Sequence, residues 1–239
     1  MKELSNRQLE RYYCSTFLKE IGIEGQKKLL NIKFLIVGAG GLASSNISYL
    51  SSIGVGTIGI VDFDTVSLDN LARQFLYKDE DVGRYKVDVI EELFSKKNID
   101  TKIVTYKLRL DEKNAQDIIK DYDIVLDCVD NFDTKLVLDD ACKALGIPLV
   151  CAGVSGFKGQ VMMVTKDSKH DFRSLFSFVP KITKDIKAAD RGVFPLAVAI
   201  ISNIECAEAV KYLLGIGKPL IDEMLVVDTL EMKFEKFKV

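Results

Sequence analysis

The chain has 239 residues, of which 48% are hydrophobic and 28% are charged, and its formal net charge is −2. This composition is typical of a folded protein and excludes a disordered chain, and it leaves no basic surplus for binding nucleic acid or anionic lipid. The most apolar run, residues 193–201, is far shorter than the roughly 18 residues that a membrane-spanning helix needs.

The cysteines and the N-terminus indicate the compartment. The five cysteines are odd in number, widely spaced and form no C-x-x-C pair, which favours reduced thiols over a disulfide framework. The first 13 residues contain no apolar segment of the kind that directs export. We therefore expect a cytoplasmic protein that has neither a membrane partner nor a nucleic-acid partner.

Short apolar runs alternate with amphipathic stretches along most of the chain, which is the pattern of βαβ units around a mostly parallel sheet. The predicted helices are 6–21, 42–53, 85–97, 111–120 and 134–145, and the predicted strands are 33–37, 57–61, 102–106, 123–127 and 148–152. Beyond residue 153 the pattern changes to a strand over 160–165, a loop over 167–191, a long helix over 194–214 and two closing strands. The sequence therefore predicts an α/β fold with an elaborated C-terminal third.

A glycine-rich turn, containing Gly38, Gly40 and Gly41, follows the first strand and opens the next helix. In this context backbone N–H groups and the helix N-terminus can meet a phosphate, although glycine turns without ligands are common in parallel α/β proteins. The second strand ends at Asp62, where a carboxylate can accept hydrogen bonds from a ribose hydroxyl. The two signals together predict an adenosine-type nucleotide; without the glycine turn, Asp62 would indicate a solvated loop and Asp64 a turn cap.

A long polar segment then occupies the place where a dinucleotide-binding enzyme would proceed to its next helix. Asn70, Arg73 and Gln74 have i, i+3, i+4 spacing, so in a short helix they would project from one face toward the ligand. Lys86 falls in the first turn of the following helix, where the helix dipole disfavours a cation without an anionic partner. A polyphosphate would be such a partner, whereas each cation alone is typical of an ordinary surface charge.

The fourth strand is followed by Asp130 and Asn131, at the sheet edge where open α/β folds bind ligands. Asp130 is a candidate Mg²⁺ ligand, because this ion takes one or two carboxylates and keeps several waters. The alternative is that Asp130 or Asn131 caps the next helix.

Five strings resemble the ThiF/MoeB/HesA group of ubiquitin-activating-type adenylyltransferases: GAGGLA, VDFDTVSLDNLARQFLY, VGRYK, LDCVDN and ECAEAVKYLLGIGKP. The resemblance covers about residues 11–219. It implies one Rossmann-like domain over 1–239, with a mostly parallel sheet, helices on both faces and an antiparallel C-terminal extension. The nucleotide-binding part would span about 31–153, and a crossover loop, helix and closing strands about 154–239.

The same resemblance implies the chemistry. A homodimer would use ATP and Mg²⁺ to adenylate the C-terminal carboxylate of a small ubiquitin-like sulfur carrier that ends in Gly-Gly, of the thiamine or molybdopterin type. Asp130, Arg73 and Lys86 would be catalytic, with Asp130 linked to Mg²⁺. The expected nucleotide contacts are Gly38, Gly40, Gly41, Asp62, Asp64, Asn70, Arg73, Gln74, Lys86, Asp130 and Asn131. No protein base is required, because the carrier carboxylate is already ionised at neutral pH.

The chain departs from the family pattern at its cysteines. Family members commonly carry two C-x-x-C pairs that bind a structural zinc, and residues 170–177 and 231–239 contain none, so we expect no zinc. Where some members have a cysteine for a covalent step, this chain has Ala188. Cys206 lies among apolar residues of the last helix and is expected to be an inert buried thiol. We therefore predict adenylation without an enzyme thioester.

A third departure lies at the N-terminus, where the family presents an arginine across its dimer interface and this chain has Cys14. A thiol cannot replace a guanidinium as a phosphate ligand, so Arg7 or Arg11 would have to substitute. Three alternatives stay open: adenylation of a peptide or of a tRNA nucleoside, a catalytically weak scaffold that binds a carrier, and a nicotinamide dehydrogenase. The cations of the polar segment argue against the last.

Overall fold

The computed structural model describes residues 3–176 and 192–239, and an eight-stranded sheet organises them. The strands are β1 Lys33–Val37, β2 Thr57–Val61, β3 Lys102–Tyr106, β4 Ile124–Asp127, β5 Leu149–Ser155, β6 Lys158–Val164, β7 Glu223–Asp228 and β8 Lys233–Lys238. The helices are α1 Asn6–Arg11, α2 Tyr13–Thr16, α3 Gly22–Leu29, α4 Gly41–Ser52, α5 Lys86–Phe94, α6 Ala115–Ile119, α7 Phe132–Leu145, α8 Phe172–Leu175 and α9 Pro195–Leu214. Residues 177–191 of the predicted loop lie outside the described residues.

The strand order is β3-β2-β1-β4-β5-β6-β7-β8. Strands β1 to β5 pair in parallel, and β5 to β8 pair antiparallel. The chain adds β2 and β3 on one side of β1 and then returns to place β4 on the other side. The loops that follow β1 and β4 therefore diverge, which opens a crevice at the carboxyl edge between these two strands. The predicted mostly parallel sheet with an antiparallel C-terminal extension is confirmed.

Helices cover both faces of the sheet. One apolar core cluster joins the sheet to α4, α5 and α9, and a second joins it to α6, α7 and α8. The central strands are buried on both faces, which explains why their sequences are continuous apolar runs rather than alternating ones. The long helix α9 starts with Pro195 at N1 and ends at Gly215, whose φ of 70° terminates it.

The predicted opening helix over 6–21 is wrong. It breaks at Tyr12, whose ring is buried and whose hydroxyl donates to Asp100 Oδ2 (2.8 Å) and accepts from Asn98 Nδ2 (3.0 Å). The ring lies so close to Gly54 that a Cβ there would be 2.4 Å from it. These tertiary contacts replace helical continuity, and α3, which the periodicity did not indicate, follows.

Other element boundaries also differ from the prediction. Strands β5 and β6 extend further toward each other than predicted and form a hairpin. Helix α6 begins at Ala115 rather than at residue 111, because the Asp111 Oδ1 accepts from the N–H groups of Lys113 and Asn114 in a preceding turn. No helix among the described residues has the length and apolar character to cross a membrane.

We predict that Tyr12→Phe lowers the free energy of unfolding by about 1–2 kcal/mol, because it removes two hydrogen bonds at a buried site. Urea unfolding would measure the loss. The matched control is Tyr13→Phe, whose side chain is 60% exposed and whose change should stay within about 0.5 kcal/mol. Equal unfolding midpoints for the two variants would contradict the role given to Tyr12.

Candidate nucleotide site

A cleft of about 240 Å³ lies at the carboxyl edge of the sheet, over β1 and β4. Four stretches of chain line it: the glycine turn at 38–42, the end of β2 at 61–64, the polar segment at 73–74 and the loop and helix start at 128–135. Lys86, the loop after β3, residues 153–154 of β5 and the start of α9 also line it. The crevice that the strand order creates is therefore filled by the polar motifs of the sequence.

Packing explains two of the three glycines and leaves the third for a ligand. Gly38 has a φ of 93°, and a Cβ there would lie 2.6 Å from the carbonyl oxygen of Cys128. A Cβ at Gly41 would lie 2.9 Å from Val198 Cγ1 and 3.0 Å from the Arg73 carbonyl oxygen. At Gly40 the nearest atom is Gln74 Nε2, at an ordinary 3.6 Å. Packing within the protein therefore does not require a glycine at this position. Gly40 faces the cleft.

Asp62 clamps the glycine turn to β2. Its Oδ2 accepts from the N–H of Ala39 and its Oδ1 from the N–H of Asp64, both at 2.6 Å. Burial raises the pKa of Asp62, and the nearby Lys86 together with the two N–H donors opposes that shift. An ionised carboxylate offers about four lone-pair sites, so Asp62 retains acceptor capacity toward a hydroxyl in the cleft.

The two predicted cations, Lys86 and Arg73, both line the cleft, and each is held in place by another residue of the protein. Lys86 Nζ lies 3.4 Å from Asp64 Oδ2, with 6% of the lysine side chain exposed. Arg73 Nη1 donates to the carbonyl oxygen of Asp69 at 3.0 Å. The anionic partner that the sequence predicted for Lys86 is therefore Asp64 in this structure, and the pairing fixes the ammonium beside the glycine turn.

The polar segment differs from the predicted short helix. A 3-10 helix ends at Asn70, whose carbonyl oxygen then accepts from the N–H groups of Arg73 (3.0 Å) and Gln74 (2.9 Å). Arg73 and Gln74 reach the cleft, but Asn70 does not line it, because its Nδ2 donates to Asp69 Oδ2 instead. Arg73 and Gln74 therefore share the cleft-facing surface that the spacing predicted, and the role of Asn70 as a nucleotide contact stays a prediction.

Gln74 has a buried polar atom that could pair with a ligand in the cleft. Its Oε1 is buried and has no hydrogen-bond partner within the described part of the chain. An unpaired buried carbonyl oxygen costs about 1–3 kcal/mol, so such atoms are rare in folded proteins. A donor supplied by a bound molecule in the cleft would remove this cost.

The loop after β4 presents Asp130 and Asn131 to the cleft. The Asn131 Oδ1 accepts from the N–H of Thr134 at 2.9 Å and caps α7, as the alternative interpretation anticipated. Asp130 is exposed and lines the cleft. Capping therefore accounts for Asn131 and leaves Asp130 available to a ligand.

Sequence reasoning missed two basic residues of the cleft. Lys135 Nζ donates to Asp127 Oδ2 (2.7 Å) and to the carbonyl oxygen of Ala152 (2.8 Å), which ties α7 to β4 and β5. Arg109 lies with its guanidinium 5.6 Å from the Phe63 ring centroid. Lys135 follows Asp130 by five residues, a spacing that would have indicated the first turns of the next helix; Arg109 belongs to no motif.

The remaining predicted residues lie away from the cleft. Cys206 is buried, as predicted, and burial raises the pKa of its thiol to about 12. Cys14 is exposed, Arg7 pairs with Asp100 and Arg11 donates to a backbone carbonyl of its own chain. Ala188 lies outside the described residues. Across residues 3–176 and 192–239 no group of three or more His, Cys, Asp and Glu side chains is placed to hold a metal ion.

A glycine turn, a carboxylate at the end of β2 and two basic side chains at the switch point of the sheet are typical of a nucleotide-binding α/β protein. Comparison with known proteins gives its family. The ThiF family matches residues 13–239, and the chain belongs to that family.

Individual relatives cover the chain almost completely. It is 38% identical over 240 residues to a sulfur carrier protein adenylyltransferase of Thermus thermophilus, covering 98% of this chain and 89% of the relative. It is 35% identical over 240 residues to a probable adenylyltransferase/sulfurtransferase MoeZ of Mycobacterium tuberculosis, covering 99% of this chain and 61% of that longer protein. The structure of E. coli MccB with ATP matches with a TM-score of 0.81 at 21% identity, over 98% of this chain and 72% of that one, and so shares the fold.

The contrast between Gly40 and Gly38 provides a test of the cleft. We predict that Gly40→Ala leaves the melting temperature within about 2 °C of the wild type, because its Cβ meets only an ordinary contact, while the stabilisation by MgATP is lost. Gly38→Ala should instead lower the melting temperature without any ligand, since the new Cβ collides with a backbone carbonyl. Differential scanning calorimetry with and without MgATP measures both. Full MgATP stabilisation of Gly40→Ala would place the phosphates elsewhere.

Proposed function

We propose that this chain is an ATP-dependent adenylyltransferase that activates the C-terminal carboxylate of a small ubiquitin-like sulfur carrier, of the thiamine or molybdopterin type. The observation that carries the proposal is the cleft itself, in which an open glycine, an unpaired buried carbonyl and two fixed cations meet. The acceptor follows from family membership and from the carrier adenylyltransferase that is 38% identical over nearly the whole chain. The whole of residues 1–239 would act as one such domain, in the cytoplasm.

In the proposed reaction a carrier carboxylate oxygen attacks the α-phosphorus of ATP. A phosphorus–oxygen bond to the acyl group forms, the bond to the bridging oxygen breaks, and pyrophosphate leaves with the bonding electrons. Negative charge grows on the departing group, and Arg73 and Lys86 stabilise it from positions that are fixed before the reaction. Asp62 holds the ribose, and the attacking carboxylate needs no base because it is ionised at neutral pH.

Asp130 suits the Mg²⁺ that this chemistry requires. It is an exposed carboxylate in the cleft, and hard oxygen ligands are those that the ion prefers. The bound ion would supply charge neutralisation at the phosphates. Asn131 and Gln74 would complete the polar surroundings, while the structural zinc of other members is not expected, since the chain lacks the C-x-x-C pairs.

The four buried thiols support adenylation without an enzyme thioester, and the exposed Cys14 lies away from the cleft. Cys206 is buried among apolar side chains of α9, and its raised pKa of about 12 keeps it protonated at neutral pH. The thiolate rather than the thiol is the nucleophile in such steps. Burial likewise raises the pKa of Cys128, Cys142 and Cys151. The activated carrier would therefore leave as the acyl adenylate.

The decisive experiment is ATP–pyrophosphate exchange with Mg²⁺ and a panel of small carriers that end in Gly-Gly. We predict exchange only with a carrier, and a loss of about 100-fold or more in Asp130→Ala, because the metal-linked carboxylate is removed. Asp133→Ala is the matched control, since Asp133 is an equally exposed carboxylate one turn away on α7. Exchange that needs no carrier, or that survives in Asp130→Ala, would refute the proposal.

The homodimer is also part of the proposal. Tyr13 on α2 and Phe17 and Leu18 just after it expose 60%, 78% and 53% of their surface, and clustered exposed apolar side chains often mark an interface. Cys14 is exposed beside them, at the position where the family presents its arginine. In this arrangement a second copy would cover the cluster.

We predict a mass near twice 26.7 kDa in light scattering, and a shift toward the monomer in Phe17→Glu, because a charge would be buried without a partner. Phe237→Glu on β8, where the side chain is 50% exposed, is the control and should leave the mass unchanged. A monomer at working concentrations, or equal dissociation of both variants, would argue against this interface.

A further inference from the structure

Glu205 lies in the middle of α9 and is fully buried, although the adenylation chemistry makes no use of it. Its Oε2 accepts from Asn46 Nδ2 at 2.7 Å and lies 3.6 Å from Cys128 Sγ. Asn46 belongs to α4, the helix that opens at the glycine turn, and Cys128 begins the loop that carries Asp130. One buried side chain therefore contacts the segments on both sides of the cleft.

Ser202, one turn earlier on α9, strengthens the same connection. Its Oγ donates to the carbonyl oxygen of Leu42 at 2.5 Å and lies 3.0 Å from Asn46 Oδ1. Leu42 is in the first turn of α4, directly after the phosphate-facing glycines. Glu205, Asn46 and Ser202 thus form a polar chain that fixes the start of α4 against α9, inside an otherwise apolar contact.

The charges around Glu205 determine its protonation. Asp127 on β4 and Lys135 on α7 are the charged groups that face it. Its other neighbours are Asn46 on α4, Cys128 in the loop after β4, and Ser202 and Cys206 on its own helix. Asp127 and Lys135 are paired at 2.7 Å, and although burial lowers the pKa of Lys135, the attraction of Asp127 keeps that pKa above its ordinary value. An ionised Glu205 would therefore add an uncompensated negative charge, and burial raises its pKa to about 8.

We propose that Glu205 is a positioning residue for the nucleotide: as a neutral carboxylic acid it holds the glycine-turn helix and the Asp130 loop in register, and its ionisation weakens MgATP binding. Two effects act in the same direction. The carboxylate repels Asp127 beneath the cleft, which disturbs the polar chain, and it places a negative charge near the site of a polyanion. The inference rests on the nucleotide function proposed above.

The test compares the dissociation constant of MgATP, by calorimetry from pH 7.5 to 9.5, in wild type and in Glu205→Gln. The amide keeps an oxygen that can accept from Asn46 Nδ2 but cannot ionise. The phosphates of ATP are already fully ionised in this range, because their last pKa is near 6. We expect the wild-type constant to rise about tenfold per pH unit above pH 8 relative to that of Glu205→Gln.

Glu208→Gln is the matched control. Glu208 is buried on the same helix, but it accepts from the N–H of Leu220 (2.8 Å) and pairs with Lys211, away from the cleft. This variant should keep the pH profile of the wild type even if its melting temperature falls. Loss of the pH dependence in both variants would overturn the inference, because it would show no specific link between Glu205 and the nucleotide.

Melting temperatures distinguish the proposed role of Glu205 from a purely structural one. A carboxyl whose pKa is raised on folding stabilises the protein most below its unfolded value, about 4.3, and that stability is lost as the pH rises to about 8. Glu205→Gln should therefore gain in melting temperature relative to wild type between pH 5 and 8. If only this gain appears and the MgATP profiles coincide, the inference is wrong. Wild-type MgATP binding tests the nucleotide function separately.

Discussion

The site depends on one close approach between two backbone segments. Strands β1 and β4 are neighbours in the sheet, so the chain that leaves each must pass the other, and a Cβ at Gly38 would lie 2.6 Å from the carbonyl oxygen of Cys128. Only a residue without a side chain, and with access to a φ of 93°, fits there. This contact aims the N-terminus of α4 into the crevice and sets Asp130, two residues beyond Cys128, on the opposite wall.

Hydrogen bonds and an ion pair within the chain hold the polar groups around this contact. Asp62 uses two carboxylate oxygens to fix the glycine turn, Asp64 holds Lys86, and a backbone carbonyl holds Arg73. Charges that are already oriented need not reorganise when negative charge develops, and this is the largest source of stabilisation in many enzymes. One buried polar atom of the cleft, Gln74 Oε1, has no hydrogen-bond partner within the described residues, and this lowers the stability of the folded protein.

The sequence predicted the sheet better than the site. Strands β1, β2 and β3 have the predicted bounds. Burial on both faces makes β1 and β2 continuous apolar runs, whereas β3 is a half-buried edge strand. Helix α9 ends where Gly215 follows Leu214. The opening helix could not be predicted, since the hydrogen bonds that break it at Tyr12 come from residues almost 90 positions away. Local spacing suggested that Asn70 faces the ligand, but a turn that ends the 3-10 helix directs it to Asp69. The chemical roles of the other site residues stay predictions.

The acidic groups beneath the cleft present a problem for polyphosphate binding at this site. A buried carboxylate near a polyanion opposes binding unless another charge or a proton compensates it, because the interior screens charges poorly. Asp127 is compensated by Lys135, which also joins α7 to β4 and β5. Glu205 faces no second cation among the described residues and instead retains its proton at neutral pH.

The two ways of neutralising a buried carboxylate differ in their pH dependence. An ion pair persists across the neutral and mildly alkaline range, whereas a carboxylic acid stays neutral only below its own pKa. The polar contacts that hold α4 against α9 therefore depend on pH in a way that the ion pair under the Asp130 loop does not.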